Sequence, residues 1–407
     1  MANSDSVTST IWKLDIPPHR IFGLDLLRAI AILLVVFRHT GWIVPVRYQR
    51  YYNIIDVDGV SIFFVLSGFL IGSIIIKFFN KKHVSFKELL IFWNRRWLRT
   101  LPLYFIILLL CMLLYPAFGF EVPFDRIPGY LTFTQNFDTP HPDFLGVAWS
   151  LSVEEWFYLL FPFLTLIISR SIPGKPIQII LLLSIAICTL SPLYRFYHAN
   201  IIPVATQVEW SKFIRMEVLT RFDAIQFGVL GAYVSLVHTE SWSKYKIPCF
   251  LLGIALLFAT SFLKLVPNID YSSWYYAGFS LSLEPIGTLM LLPFLSTYHR
   301  KSDLFYKATT VLSIISYSLY LIHVSIVGHL LIYNHDWYSI IPIPNLNIVV
   351  KYAAYWLLSI ILSVASYRFI ELPILRFRDR KFQRQAIPTS ATAEKDVSSS
   401  HVRPDVS

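Results

Sequence analysis

A chain of 407 residues that is 55% apolar, 16% aromatic and only 15% charged does not have the composition of a water-soluble domain. Its apolar residues come in runs of about 20, the length that crosses a hydrocarbon core. The formal net charge of +10 does not point to nucleic acid, because the basic residues sit in short loops between apolar runs and read as orientation signals.

Residues 1–20 are polar and read as a cytoplasmic N-terminal tail. The first apolar run, Leu24–Ile43, is not a cleaved signal peptide: it has no small-residue cleavage site, and buried charges would have no purpose in a discarded segment. Further spans are predicted over Val57–Phe79, Leu101–Phe118, Val147–Ile168, Ile177–Leu193, Phe222–Val237, Ile247–Leu263, Trp274–Leu295, Val311–Ile332 and Ile348–Phe369. The fold class is therefore all-α: a polytopic integral membrane helical bundle of about ten transmembrane helices. Residues 21–377 form one membrane domain, and residues 378–407 a disordered cytoplasmic tail with too little apolar content to fold alone. No tandem repeat and no Gly-rich nucleotide loop is present.

Ten spans put both termini on one side. Lys81, Lys82, Lys87, Arg95, Arg96 and Arg99 lie between spans two and three. Lys244, Lys246, Arg300, Lys301 and Lys307 mark later loops of the same parity, and Arg376, Arg378, Arg380, Lys381 and Arg384 follow the last span. The positive-inside rule makes that side the cytoplasm. Arg195, Lys212 and Arg215 are the exceptions. The cysteines Cys111, Cys188 and Cys249 each lie in or at the start of an apolar segment and read as small buried hydrophobes.

The first span holds the most informative residues. Asp25, Arg28, Arg38 and His39 are ionisable groups at membrane depth, where such groups are expensive and mark function by default. Arg28 and His39 are eleven residues apart. At about 100° per residue they fall within roughly 20° of one helix face, separated by roughly 16 Å of rise. One face thus presents a cation near one surface and an imidazole deeper in the membrane, a geometry for a long anionic ligand. His39 reads as a general base, kept neutral by nearby arginines. Arg28 reads either as a ligand-binding cation or as the helical ion-pair partner of Asp25, three residues earlier.

Arg95, Arg96 and Arg99 stand at the entrance to the third span. Arg96 and Arg99 are one turn apart on one face, and an arginine fork grips phosphate bidentately. Trp149 to Trp156 (WSLSVEEW) places Glu154 and Glu155 at the start of the fourth span. One acid there is favoured by the helix dipole; two, flanked by tryptophans, point to a carbohydrate-like site or to an orienting partner for His39. Arg221, Asp223 and Glu284 are further intramembrane candidates, each equally readable as a structural pair. His323 reads as a helix-packing histidine, and Ser67-Gly68 as a close helix contact. The scattered histidines form no metal-binding motif.

These pieces resemble, in order, the acyltransferase family 3 of integral-membrane acyltransferases. They are LDLLRAIAILLVVFRH with its R-x10-H spacing, GVSIFFVLSGFLIG, RRWLRTLPLYF with its R-x-x-R, WSLSVEEWFYLLFP, RFDAIQFGVLGAY, ISYSLYLIH and YRFIELP. Coverage runs from about Ile21 to Phe377. The resemblance implies a ten-helix domain that takes an acyl group, usually acetyl, from cytoplasmic acyl-CoA and passes it to a hydroxyl at or beyond the outer face, on a surface or exported glycan such as O-antigen or capsule. It implies His39 as the catalytic histidine, Arg28 as its donor-binding partner, Arg96 and Arg99 near the CoA phosphates with Arg95 beside them, and Glu154 rather than Glu155 as the motif acid. Acyl-CoA is then a substrate, with no metal and no nucleic acid partner, and the location is the bacterial inner membrane. Many members carry a fused SGNH hydrolase-like domain after the tenth helix; this chain stops soon after it and is expected to act alone or with a separate partner. The competing class is a glycan or lipid transporter without chemistry, which commonly has internal repeats between halves.

Overall fold

The computed structural model describes residues 20–383 apart from 55, 81–83, 173, 174, 203 and 266–269. The two predicted tails, other than Arg20 and residues 378–383, lie outside the described residues, as do Lys81, Lys82 and Arg384. Among the described residues there is no strand. Ten long helices carry the fold: α1 (Phe22–Arg38), α2 (Gly59–Phe79), α3 (Phe86–Phe118), α4 (Ala148–Ser171), α5 (Pro176–Ile201), α6 (Phe222–Val237), α7 (Lys246–Leu263), α8 (Trp274–Leu295), α9 (Leu304–Tyr333) and α10 (Pro344–Phe382). Eight of them are long and apolar enough to cross a membrane; α1, with 17 residues, and α6, with 16, are shorter. Both shorter helices bury polar side chains, Asp25 on α1 and Asp223 and Gln226 on α6, so they sit inside the bundle among other helices.

Three boundaries differ from the sequence reading, each for a local reason. The first helix stops at Arg38 instead of running to Ile43. Thr40 Oγ1 donates to the Phe37 carbonyl at 2.6 Å, Gly41–Ile43 form a short 3-10 turn, and Pro45 follows, a residue that helices stop short of. The third helix starts at Phe86, well before Leu101. Ser85 and Glu88 form a reciprocal capping box that satisfies the first free backbone amides, so Arg95, Arg96 and Arg99 lie inside a helix and not on a loop. The helical path runs past the boundary drawn at residue 377, because Phe382 is buried against the bundle with the Arg95 guanidinium 5.5 Å from its ring centre.

Helices α2 and α6 cross in direct backbone contact. A Cβ on Gly68 would stand 1.9 Å from the Ile225 carbonyl oxygen, and one on Gly228 would stand 2.1 Å from the Val65 oxygen. No other residue permits that approach, in keeping with small-residue packing of membrane helices. Helix α1 lies between α2 and α9, and α9 packs on α10. The Gly23 amide donates to the Tyr298 carbonyl at 3.1 Å, and Tyr367 feels the charges of Arg20, Arg99 and Arg376. The start of α1, the end of α8 and the second half of α10 thus share one face of the bundle, called here the terminal face.

The three exceptions to the loop-charge pattern all have carboxylate partners. Arg195 meets Asp223 bidentately, at 3.0 Å for each contact, with both side chains fully buried. Lys212 meets Asp143 at 2.9 Å, and Arg215 meets Asp58 at 3.2 Å.

Candidate active site

The site is built along α1. Asp25 is taken up by Arg20, whose Nε donates to it at 2.7 Å, and by Ser313 Oγ of α9, also at 2.7 Å. The Asp25–Arg28 ion pair allowed by helical spacing is therefore not formed: Asp25 is committed elsewhere. Among the described residues no hydrogen bond or ion pair engages Arg28 or Arg99. Both feel the Arg96 charge, and Arg99 also feels that of Arg28. Three guanidiniums held this close, two of them with no ion pair among the described residues, form a positive cluster on which the Asp25, Glu154 and Glu371 charges act from farther away.

Arg96 is the anchored member. Its Nη2 donates to the Tyr158 hydroxyl at 2.5 Å, the guanidinium lies 4.2 Å from the centre of that ring, and Glu154 Oε2 is 3.7 Å away. Ser67 Oγ donates to the other Glu154 oxygen at 2.6 Å. Glu155 is buried and accepts from Thr100 at 2.9 Å, and its charge also acts on Arg96; among the described residues Glu154 is the acid within ion-pair distance of that arginine. The expected role of Glu154 as an orienting partner for His39 has no counterpart in these contacts, since its carboxylate is spent on Arg96 and Ser67. Arg95 has a different neighbour: its exposed guanidinium lies over the Phe382 ring, although its four-residue spacing leaves it only about 40° from Arg99 around the helix.

His39 caps the other end of α1. Its Nδ1 lies 2.8 Å from the Val35 carbonyl oxygen, which can only accept, so Nδ1 carries the proton and Nε2 holds a lone pair. His323 is set in the same way: its Nδ1 donates to the Leu319 carbonyl at 2.8 Å, and its Nε2 lies 3.2 Å from His39 Nδ1. The buried His323 therefore accepts a second share of the His39 proton and fixes its tautomer. The packing role expected for His323 is real but incomplete, because it also touches the proposed base. Sequence spacing carried no signal for this contact. The π-helical stretch His323–Tyr333 is the local feature that marks it, since such deviations inside α-helices cluster at functional sites.

His39 opens onto a cavity of about 330 Å³ whose wall includes Trp42, Phe120, His329, Tyr333 and Tyr355. The charges acting on the imidazole come from Arg215, Arg38 and Asp58. Arg38 is held by Asp56 at 3.1 Å and Asn53 at 3.0 Å. Asp58 belongs to a buried network with Arg221, Lys264 and Glu284: Arg221 lies 3.7 Å from it, its own amide donates to Glu284 at 3.2 Å, and Lys264 donates to Glu284 at 2.6 Å. Arg221, Asp223 and Glu284 are thus structural pairs, the second reading the sequence allowed for them. The tryptophans flanking Glu154 and Glu155 form no open sugar platform. Trp149 is buried under Arg215, and the Trp156 indole donates to the Phe133 carbonyl at 2.9 Å.

One helix thus carries, at its two ends, a cation without an ion-pair partner among the described residues and a lone-pair imidazole, with two more arginines from α3 beside the cation. The chain is similar in sequence to known acetyltransferases. O-acetyltransferase OatA from Staphylococcus aureus strain NCTC 8325 / PS 47 is 26% identical over 381 residues, covering 88% of this chain and 57% of the relative. The same protein from strain COL matches to the same extent. The chain therefore spans somewhat more than half the length of these relatives. No solved structure matches it. The family described as Acyltransferase domain, Acyl_transf_3, matches residues 21–368, and the chain belongs to that acyltransferase family.

Proposed function

We propose that this protein is an O-acyltransferase that moves an acyl group, acetyl by default, from acyl-CoA to a hydroxyl of a cell-surface or exported glycan. The observation that carries the reading is the pairing on one helix of an unpartnered Arg28, clustered with Arg96 and Arg99, with a His39 whose Nε2 is free to accept a proton. The OatA relatives, O-acetyltransferases by name, support the acetyl default. Nucleotide phosphates would sit on the arginine cluster, bound as charge-assisted forks. The pantetheine arm would follow α1, and the roughly 16 Å of rise between Arg28 and His39 is comparable to its reach.

At the far end His39 Nε2 takes the proton of the acceptor hydroxyl as its oxygen attacks the thioester carbonyl. The carbon–sulfur bond breaks, the CoA thiolate leaves, and the imidazolium returns its proton to that sulfur. An acyl-histidine formed by direct attack of Nε2 is the two-step variant. The loop charges support a cytoplasmic terminal face, with donor and acceptor then meeting from opposite sides of a bacterial inner membrane.

The deciding experiment is transfer from radiolabelled acetyl-CoA into the glycan fraction of cells, comparing the wild type with His39→Ala at matched membrane levels. Label in the wild type and none in the variant is the expected result. Equal label in both would remove His39 from the chemistry. No label in either, with longer acyl-CoAs also inert, would favour a glycan or lipid transporter.

A further inference from the structure

We infer that the cavity beside His39 is a monosaccharide subsite, one that holds a single pyranose of the acceptor with its hydroxyl at Nε2. The inference rests on the glycan-acceptor reading above and names where that acceptor binds. Its size of about 330 Å³ falls at the lower end of the range for small-molecule sites. Four elements build it: the turn after α1 supplies Trp42, the segment just after α3 supplies Phe120, the π-helical end of α9 supplies His329 and Tyr333, and α10 supplies Tyr355.

Two properties of the wall point to a sugar. The rim is aromatic and open. Trp42 and Tyr333 are 44% and 61% exposed, and their rings meet edge to face with centroids 5.8 Å apart. Lys351 Nζ stands over one face of Trp42, 5.1 Å from the ring centre, and the other ring faces offer flat apolar surface to the C–H face of a pyranose. The interior is polar at chosen points. Tyr355 is fully buried, yet among the described residues its hydroxyl has no hydrogen-bond partner, a state that costs free energy unless a ligand supplies one. His329 Nδ1 lies 2.9 Å from the Tyr115 hydroxyl, which itself donates to the Ser325 carbonyl at 3.0 Å. The Tyr115 oxygen therefore accepts from His329 Nδ1, and His329 Nε2 is left as a free acceptor. A hydroxyl for Tyr355 to meet, a second hydroxyl to donate to His329 and an apolar face for the rim describe a sugar ring. An acyl chain would leave both polar groups unsatisfied.

The test uses the full chain in lipid nanodiscs and saturation-transfer difference NMR. The probes are methyl β-D-glucopyranoside, methyl N-acetyl-β-D-glucosaminide and, as an apolar probe, hexanoate. Ring protons of at least one glycoside should receive saturation in the wild type. Tyr355→Phe and the double variant Trp42→Ala/Tyr333→Ala should each weaken glycoside binding about tenfold. Coenzyme A should still raise the melting temperature of both variants, which shows that they are folded and that the arginine end is intact. Saturation of hexanoate alone, of no probe, or equal glycoside binding by wild type and double variant would overturn the subsite. Glycoside binding that follows these variants in a protein that transfers no acetyl would leave the subsite standing and remove the proposed reaction. Normal labelling of cellular glycan without glycoside binding would do the reverse.

Discussion

His323 Nε2 stands 3.2 Å from His39 Nδ1, and each ring also donates through Nδ1 to the carbonyl four residues before it. Two imidazoles are thereby locked in one tautomer by two helix ends, and the lone pair of His39 is aimed away from the pair. His323 acts through His39 and is a positioning residue.

Replacing His323 with Ala removes one acceptor for the His39 proton and is expected to lower kcat roughly tenfold, the scale of one hydrogen bond, with the donor KM unchanged. His323→Gln, whose side-chain oxygen can accept from Nδ1, should recover most of that loss. Steady-state kinetics of the two variants separate positioning from packing, because a packing role would leave both equally impaired.

The three arginines of α3 should not behave alike. Arg99→Ala removes an unpaired cation and is expected to raise the donor KM about 10- to 100-fold, the worth of a charge-assisted hydrogen bond. Arg28→Ala should do the same from α1. Arg95→Ala, whose guanidinium is taken up over the Phe382 ring, should change the donor KM by less than about twofold. Coenzyme A titrations on the three variants check the order, and an Arg95 effect as large as that of Arg99 would dissolve the assigned cluster.

Arg195 and Asp223 belong to stability. Their bidentate contact is fully buried, and the Gly278 and Thr220 carbonyls take the remaining guanidinium donors at 2.7 and 2.6 Å. Deleting either partner leaves a buried charge and is expected to cost about 3–5 kcal/mol, while replacing both with apolar residues recovers much of it. Melting temperatures in detergent of Arg195→Met, Asp223→Leu and the double variant test this; additive losses would show that the two groups are not coupled.

Glu217, in the loop between α5 and α6, gives stability a pH dependence. Burial and the neighbouring Asp138 push its carboxyl up to about 8, and it lies 3.2 Å from His198. A carboxyl raised in the folded state is protonated there but ionised in the unfolded chain. Its contribution is therefore complete below the unfolded value of 4.5 and lost as pH rises through about 8. Glu217→Gln, neutral at every pH, is expected to flatten the fall of melting temperature between about pH 5 and pH 9. Parallel curves for wild type and variant would assign the titration to another group.

Much of this molecule was legible in single segments. The helical runs and the spacing of Arg28 and His39 along α1 follow from run length and helical period. Those properties depend only on nearby residues and on the requirement that backbone groups in a bilayer bond within their own helix. Tertiary packing decided what each charge was doing. Asp25 could pair with Arg28 by spacing but is claimed by Arg20 and by Ser313 on α9. Arg215 read as a stray loop cation until Asp58 met it. His323 is separated from His39 by most of the chain, and no local pattern encodes a hydrogen bond between two helices that only the assembled bundle brings side by side. The sequence by itself determined where the polar groups lie along the membrane; the fold decided which of them neutralise one another, and so which are left free to meet a substrate.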